Sequence, residues 1–112
     1  MTNRVTLLGK LVDAPKIRTI EVRNGSIEIV SLWIEAPSGE RADRFTVEIN
    51  CPKSGALAKA MQAGVIVEIT GQLRHDRWKD KDGKWTGKVF IAVDPGQGQV
   101  RSKGMAETAD AA

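Results

Sequence analysis

Apolar and polar residues alternate with period two along most of this chain, which predicts a protein built mainly from half-buried strands. Val5 and Leu7 alternate with Thr6 and lead to Gly9, where a first strand is expected to bend, and Ala14-Pro15 closes it. A second extended piece covers residues 17–22, and Asn24-Gly25 is expected to turn a hairpin into the next run. Between Ile27 and Glu35, Val30, Leu32 and Ile34 fall on one face, with Ser31, Trp33 and Glu35 on the other. Trp33 is therefore expected to point away from the core. After the Pro37-Ser38-Gly39 loop, Phe45, Val47 and Ile49 alternate with Arg44, Thr46, Glu48 and Asn50. The period then changes. Residues 54–64 are rich in alanine, with Ser54 at the expected N-cap and Gly64 just past the end, and they predict one short helix. Val65, Val67 and Ile69 resume the alternation up to Gly71, where the strand is expected to bend and run on into a ribbon that returns through Val89, Ile91 and Val93.

That ribbon carries the densest candidate chemistry. Asp82-Gly83 suits a tight hairpin turn, because glycine accepts positive φ freely and aspartate tolerates it. A two-residue loop would set Trp78 opposite Gly87, and a four-residue loop would set it opposite Trp85. Either register predicts both indoles on one face, shared with Arg74. An exposed ring that stacks a nucleobase contributes roughly 1–3 kcal/mol without regard to sequence, while neighbouring cations hold phosphates. Two tryptophans paired across a hairpin for stability alone, worth about 0.5–1 kcal/mol, explain the same spacing.

A chain of 112 residues holds one domain, expected over residues 1–98, with no periodicity in the tail 99–112. The net charge of +3 does not by itself argue for nucleic acid. Its distribution is more telling: Arg74, Arg77, Lys79, Lys81, Lys84 and Lys88, with His75 if protonated, face only Asp76, Asp80 and Asp82 in the ribbon. No segment has the pattern of a signal peptide or a membrane span, so a cytoplasmic protein without membrane contact is expected. Cys51 is the only cysteine and His75 the only histidine, which leaves no internal disulfide, no cysteine-based zinc site and no catalytic constellation. Asp80-Lys81-Asp82-Gly83 lacks the further carboxylates of a calcium loop. The expectation is a binding protein with no enzymatic activity, no cofactor and no metal.

Grouped along the chain, the order is three strands, one helix and two strands. This is the connectivity of the five-stranded Greek-key OB-fold barrel, all-β with one helix, here with a hairpin protruding between the fourth and fifth strands. The stretch Asn3-Arg4-Val5-Thr6-Leu7-Leu8-Gly9-Lys10-Leu11, with Asp13-Ala14-Pro15 and Asn24-Gly25, resembles the opening of bacterial single-stranded-DNA-binding (SSB) proteins. Leu57-Ala58, Gly64, Val65-Ile66-Val67-Glu68-Ile69, Gly71-Gln72-Leu73-Arg74, Trp78, Asp80 and Gly83 are similar to that family's helix, fourth strand and hairpin, in order and spacing. The resemblance covers about residues 3–94. It implies sequence-tolerant binding and protection of single-stranded DNA in replication, recombination or repair, by a homo-oligomer, with a tetramer favoured over a dimer. Trp78 matches the family's stacking tryptophan, whereas Arg44 and Asn50 stand where family members often place aromatic residues.

The candidate nucleic-acid-binding residues are then Trp78, Trp33, Trp85, Arg74, Arg77, Lys79, Arg44, Lys84, Lys88, Lys10 and Arg18. The chain's last residues, Ala106 to Ala112, lack the family's run of acids and terminal phenylalanine, which puts recruitment of replication proteins in doubt. A start similar to Met1-Thr2-Asn3-Arg4 also occurs in the primosomal PriB proteins. They supply the alternative: an OB-fold subunit acting mainly through protein and weaker DNA contacts.

Overall fold

The computed structural model describes residues 1–105, and residues 106–112 lie outside the described part. Its elements run β1 (Val5–Leu11), β2 (Lys16–Val22), β3 (Gly25–Ser38), β4 (Arg41–Ile49), α1 (Pro52–Lys59), β5 (Val65–Lys79), β6 (Trp85–Val93) and β7 (Gln99–Met105). A closed circuit joins five of the strands. β1 pairs antiparallel with β5, from Val5↔Gly71 to Lys10↔Ile66, and then with β3 at Lys10↔Glu35 and Leu11↔Ile34. β3 pairs with β4 and β5 with β6, and a short parallel seam from Val47↔Ile91 to Ile49↔Val93 closes the ring. This is the OB-fold barrel that the element order predicts. β2 lies along β3 outside the ring, as a continuation of the first barrel strand beyond the Asp13-Ala14-Pro15 break.

Gly9 and Gly71 mark the two places where a barrel strand exchanges one neighbour for another. β1 leaves β5 for β3 at Gly9-Lys10, and β5 leaves β1 for β6 at Gly71-Gln72. A Cβ on Gly9 would lie 2.5 Å from the Glu35 carbonyl oxygen, and one on Gly71 would lie 2.4 Å from that of Ala92. No side chain fits between strands that cross so closely.

The core fills the barrel with the residues that the alternation selects. Val30, Leu32 and Ile34 of β3, Val47 and Ile49 of β4, Val67 and Ile69 of β5, and Ile91 and Val93 of β6 are all buried. Ala58 of α1 and Met61 just beyond it close one end.

Four details depart from the sequence expectations. The first hairpin turns on Arg23-Asn24, one residue earlier than expected, because Val22 pairs with Gly25. The helix begins at Pro52 rather than after Ser54. Its N-cap is Cys51, without a side-chain cap, and proline at the first position suits a helix start because its φ is already set. Gly64 is not a helix cap, since its N–H instead donates to the Leu11 carbonyl at 2.8 Å and ties the start of β5 to the end of β1. Finally, residues 99–105 of the expected tail form β7, which pairs with β5 from Thr70↔Gln99 to Val65↔Met105 and buries Val100. With one strongly apolar residue on one face, an edge strand of this kind carries too little alternation to register in the sequence.

Candidate nucleic-acid interface

The outward side of the barrel is a lattice of side chains set by strand register. Lys10, Glu35 and Arg44 form one row across β1, β3 and β4. Trp33 and Thr46 form the next. Lys16, Ser31, Glu48, Ala92 and Gln72 make a third, which crosses from β2 to β5. Alternation from Gln72 carries the same side of the sheet out along the ribbon, through Arg74 opposite Phe90, Asp76 opposite Lys88, and Trp78 opposite Thr86. Trp33 and Trp78 thus lie on one continuous side, 40% and 46% exposed. Trp33 is a wall shared by two hollows. One, of about 360 Å³, includes Lys16, Ser31 and Thr46; the other, of about 320 Å³, includes Arg44, Phe45 and Leu73.

Trp85 stands elsewhere. Its cross-strand partner is Lys79, while Trp78 faces Thr86, so the two indoles occupy opposite sides of the ribbon. The expectation that they share a face is overturned by the turn. Asp80 N–H donates to the Lys84 carbonyl at 2.9 Å, Gly83 N–H donates to the Asp80 carbonyl at 3.0 Å, and Gly83 takes φ 77°. The Asp80 Oδ1 accepts from the backbone N–H of Asp82 and of Lys84, each at 2.9 Å. The result is a three-residue loop with a bulging glycine, and its odd length reverses which residues share a side. Arg77 and Lys79 accompany Trp85, with the guanidinium carbon 5.2 Å and Nζ 5.3 Å from the ring centroid. Lys84 lies in the turn at the ribbon's tip.

On the outward side four of the cations, Arg18, Arg44, Arg74 and Lys88, are held by carboxylates. Glu48, whose side chain is 12% exposed, accepts from Arg18 Nη2 at 3.1 Å and from Lys88 Nζ at 2.8 Å, joining the β2 hairpin to the ribbon. Arg44 Nε donates to Glu35 at 3.2 Å, and Arg74 pairs with Asp94. The base of the ribbon is fixed as well: the Asn3 side chain donates to the Leu73 carbonyl at 2.8 Å and accepts from its N–H at 2.9 Å.

Of the candidate residues, Lys10, Arg18, Trp33, Arg44, Arg74, Trp78 and Lys88 come together on the outward side, whereas Arg77, Lys79 and Trp85 form a separate group. Sequence reasoning passed over Lys16 beside Trp33, although its place in the β2 alternation could have marked it. The alternation does put Glu35 and Glu48 on this side, but it could not give the partners of Glu48, which come from strands remote in sequence.

The Cys51 thiol is pulled below its ordinary pKa, chiefly by a hydrogen bond from the Ser54 backbone, with burial opposing the shift. Among the described residues no cluster of His, Cys, Asp or Glu is suited to a metal ion. No described helix is long and apolar enough to cross a membrane.

A sequence model of the single-strand binding protein family matches residues 2–100 of this chain. A single-stranded DNA-binding protein of Thermosynechococcus vestitus is 30% identical over 82 residues, which span 71% of this chain and 67% of that one. Among solved structures, the Plasmodium falciparum SSB in complex with ssDNA superposes with a TM-score of 0.77 at 14% identity, covering 91% of this chain and 95% of that one. The S. cerevisiae mitochondrial single-stranded DNA binding protein Rim1 gives 0.67 at 10% identity, with coverages of 95% and 100%. These two likenesses establish the OB-fold, and the family match extends over nearly all of the sequence that builds it. The chain belongs to the single-strand binding protein family, whose members are non-enzymatic DNA-binding proteins.

Proposed function

We propose that this protein binds single-stranded DNA without sequence preference and protects it during replication, recombination or repair in the cytoplasm. The observation that carries this reading is the placement of two exposed indoles, Trp33 and Trp78, on one side of the sheet among Lys10, Lys16, Arg18, Arg44, Arg74 and Lys88. Unpaired bases stack on the rings, each for roughly 1–3 kcal/mol, and the cations take the phosphates between them. A duplex keeps its bases stacked inside and offers the indoles nothing comparable. The two hollows that Trp33 helps to line give bases room to lie against that ring.

Self-association is part of the same proposal. Phe45, Leu73 and Val89 leave large apolar surfaces exposed, as does Leu8 on β1, and a second copy of the chain would cover them. A homotetramer is favoured over a dimer on the family resemblance, and sedimentation at micromolar concentration decides between them. The test of DNA binding is titration with oligo(dT) and with duplex of equal nucleotide content, read by tryptophan fluorescence. Strong quenching by oligo(dT) alone is expected. Equal or negligible quenching by both would reject the reading and favour a PriB-like subunit that works mainly through protein contacts.

A further inference from the structure

We propose that the side of the ribbon opposite Trp78 is a second, separate seat for single-stranded nucleic acid, where a base stacks on Trp85 and its flanking phosphates meet Arg77 and Lys79. This rests on the proposed DNA-binding function and adds a site to it. Trp85 is the most exposed of the three tryptophans, at 62%. Its position is not that of a packing residue, because its cross-strand neighbour is Lys79 and the next position along β6 on that side is Gly87. The ring is largely open to solvent and lies within cation–π reach of both Arg77 and Lys79. Because Trp78 and Trp85 are on opposite sides, no single straight stack of bases spans them. A strand that uses both must pass around the edge of the ribbon, or two segments must bind.

The two sides of the ribbon also differ in how their cations are held. On the outward side Arg18, Arg44, Arg74 and Lys88 are each paired with Glu48, Glu35 or Asp94. On the Trp85 side the strand positions are Leu73, His75, Arg77 and Lys79 facing Ile91, Val89, Gly87 and Trp85, with no carboxylate among them. Among the described residues, neither Arg77 nor Lys79 has an ion-pair partner. This matters for binding. A phosphate that meets a free cation releases condensed counterions, giving a slope of about 0.7 in log affinity against log salt per contact on a single strand. A phosphate that takes an arginine from a carboxylate leaves that carboxylate to recruit a cation, and the release largely cancels. Among the cations of the ribbon's strands, salt sensitivity should therefore fall on Arg77 and Lys79 rather than on Arg74 and Lys88. Any that remains in their absence belongs to Lys10 of β1 and Lys16 of β2, which have no ion-pair partner among the described residues.

The experiment is a salt series of binding to a long, end-labelled oligo(dT), read by fluorescence anisotropy, with sedimentation and melting of every variant. The Arg77→Gln/Lys79→Gln double variant should lose about 1.4 from the magnitude of the slope, while Arg44→Gln/Lys88→Gln should change it much less. Trp85→Ala should weaken binding roughly tenfold with no change in melting. If the wild type binds oligo(dT) but the Arg77/Lys79 variant keeps its slope and Trp85→Ala keeps its affinity, the second seat is overturned and the general function stands. If these substitutions change the oligomeric state and not the affinity, the surface belongs to a second copy of the chain, and the proposal is again overturned. If the wild type does not bind at all, it is the general function that fails.

Discussion

β5 is one unbroken strand with two different halves. Residues 65–71 have β1 on one edge and β7 on the other, and Val65, Val67 and Ile69 are buried among the core. Residues 72–79 have β6 alone, and exposed side chains on both sides from Leu73 onward. Both halves are extended strand, and they differ in the number of strands paired to them. Stability is thus concentrated in the first half and ligand contact in the second, so that substitutions in the two halves should separate cleanly.

The largest expected effect is in the buried half. Ile69→Ala removes core volume with no route for solvent to fill it, and should cost about 2–5 kcal/mol in urea unfolding while leaving the DNA affinity of the folded protein unchanged. At the junction, Gly71→Ala forces a methyl against the Ala92 carbonyl and should cost about 1–3 kcal/mol. Since Gly71 also aims the ribbon, this variant is expected to lose DNA affinity as well, which distinguishes it from Ile69→Ala. In the exposed half, Trp78→Ala should lose roughly 1–3 kcal/mol of DNA affinity with an unchanged melting temperature. A protein that melts earlier but binds normally would reverse the comparison and make Trp78 a cross-strand packing residue.

The smallest effect is expected at Glu48, where the barrel and the ribbon are tied together. Glu48→Gln should lower stability by less than about 1 kcal/mol, because both of its partners are largely exposed. It should also tighten DNA binding slightly by freeing Arg18 and Lys88 and removing a charge that repels phosphate. A clear weakening in the same titration would show that the placement of those two cations by Glu48 outweighs the repulsion.

The sequence made the barrel legible because alternation is a direct record of sidedness. Val30, Leu32 and Ile34 against Trp33 gave the burial of β3 correctly, and Gly9 and Gly71 marked the strand crossings. Sidedness across a hairpin is another matter, since it depends on the parity of the loop. Asp82-Gly83 suggests a two-residue turn, but Asp80 accepts two backbone N–H groups and lengthens the loop to an odd count, which separates Trp85 from Trp78. The helix start was misplaced for a comparable reason: Ser54 has the chemistry of an N-cap, yet Pro52 already sets the helical φ two residues earlier. The Arg18–Glu48–Lys88 bridge joins three strands that are remote in sequence, so no local pattern could announce it.

The seam between β1 and β5 governs how the chain reaches this structure. The β2–β3 hairpin and the β5–β6 ribbon join neighbours in sequence, whereas Val5 must find Gly71 and Val47 must find Ile91. Closing such long loops costs entropy before any contact repays it, and slows folding in proteins dominated by distant pairings. Refolding should therefore form the two hairpins early and zip the seam last. Pulse-labelled hydrogen exchange would then find the β1 amides protected after those of β3 and β6, and the grip for DNA would be partly shaped before the barrel that supports it has closed.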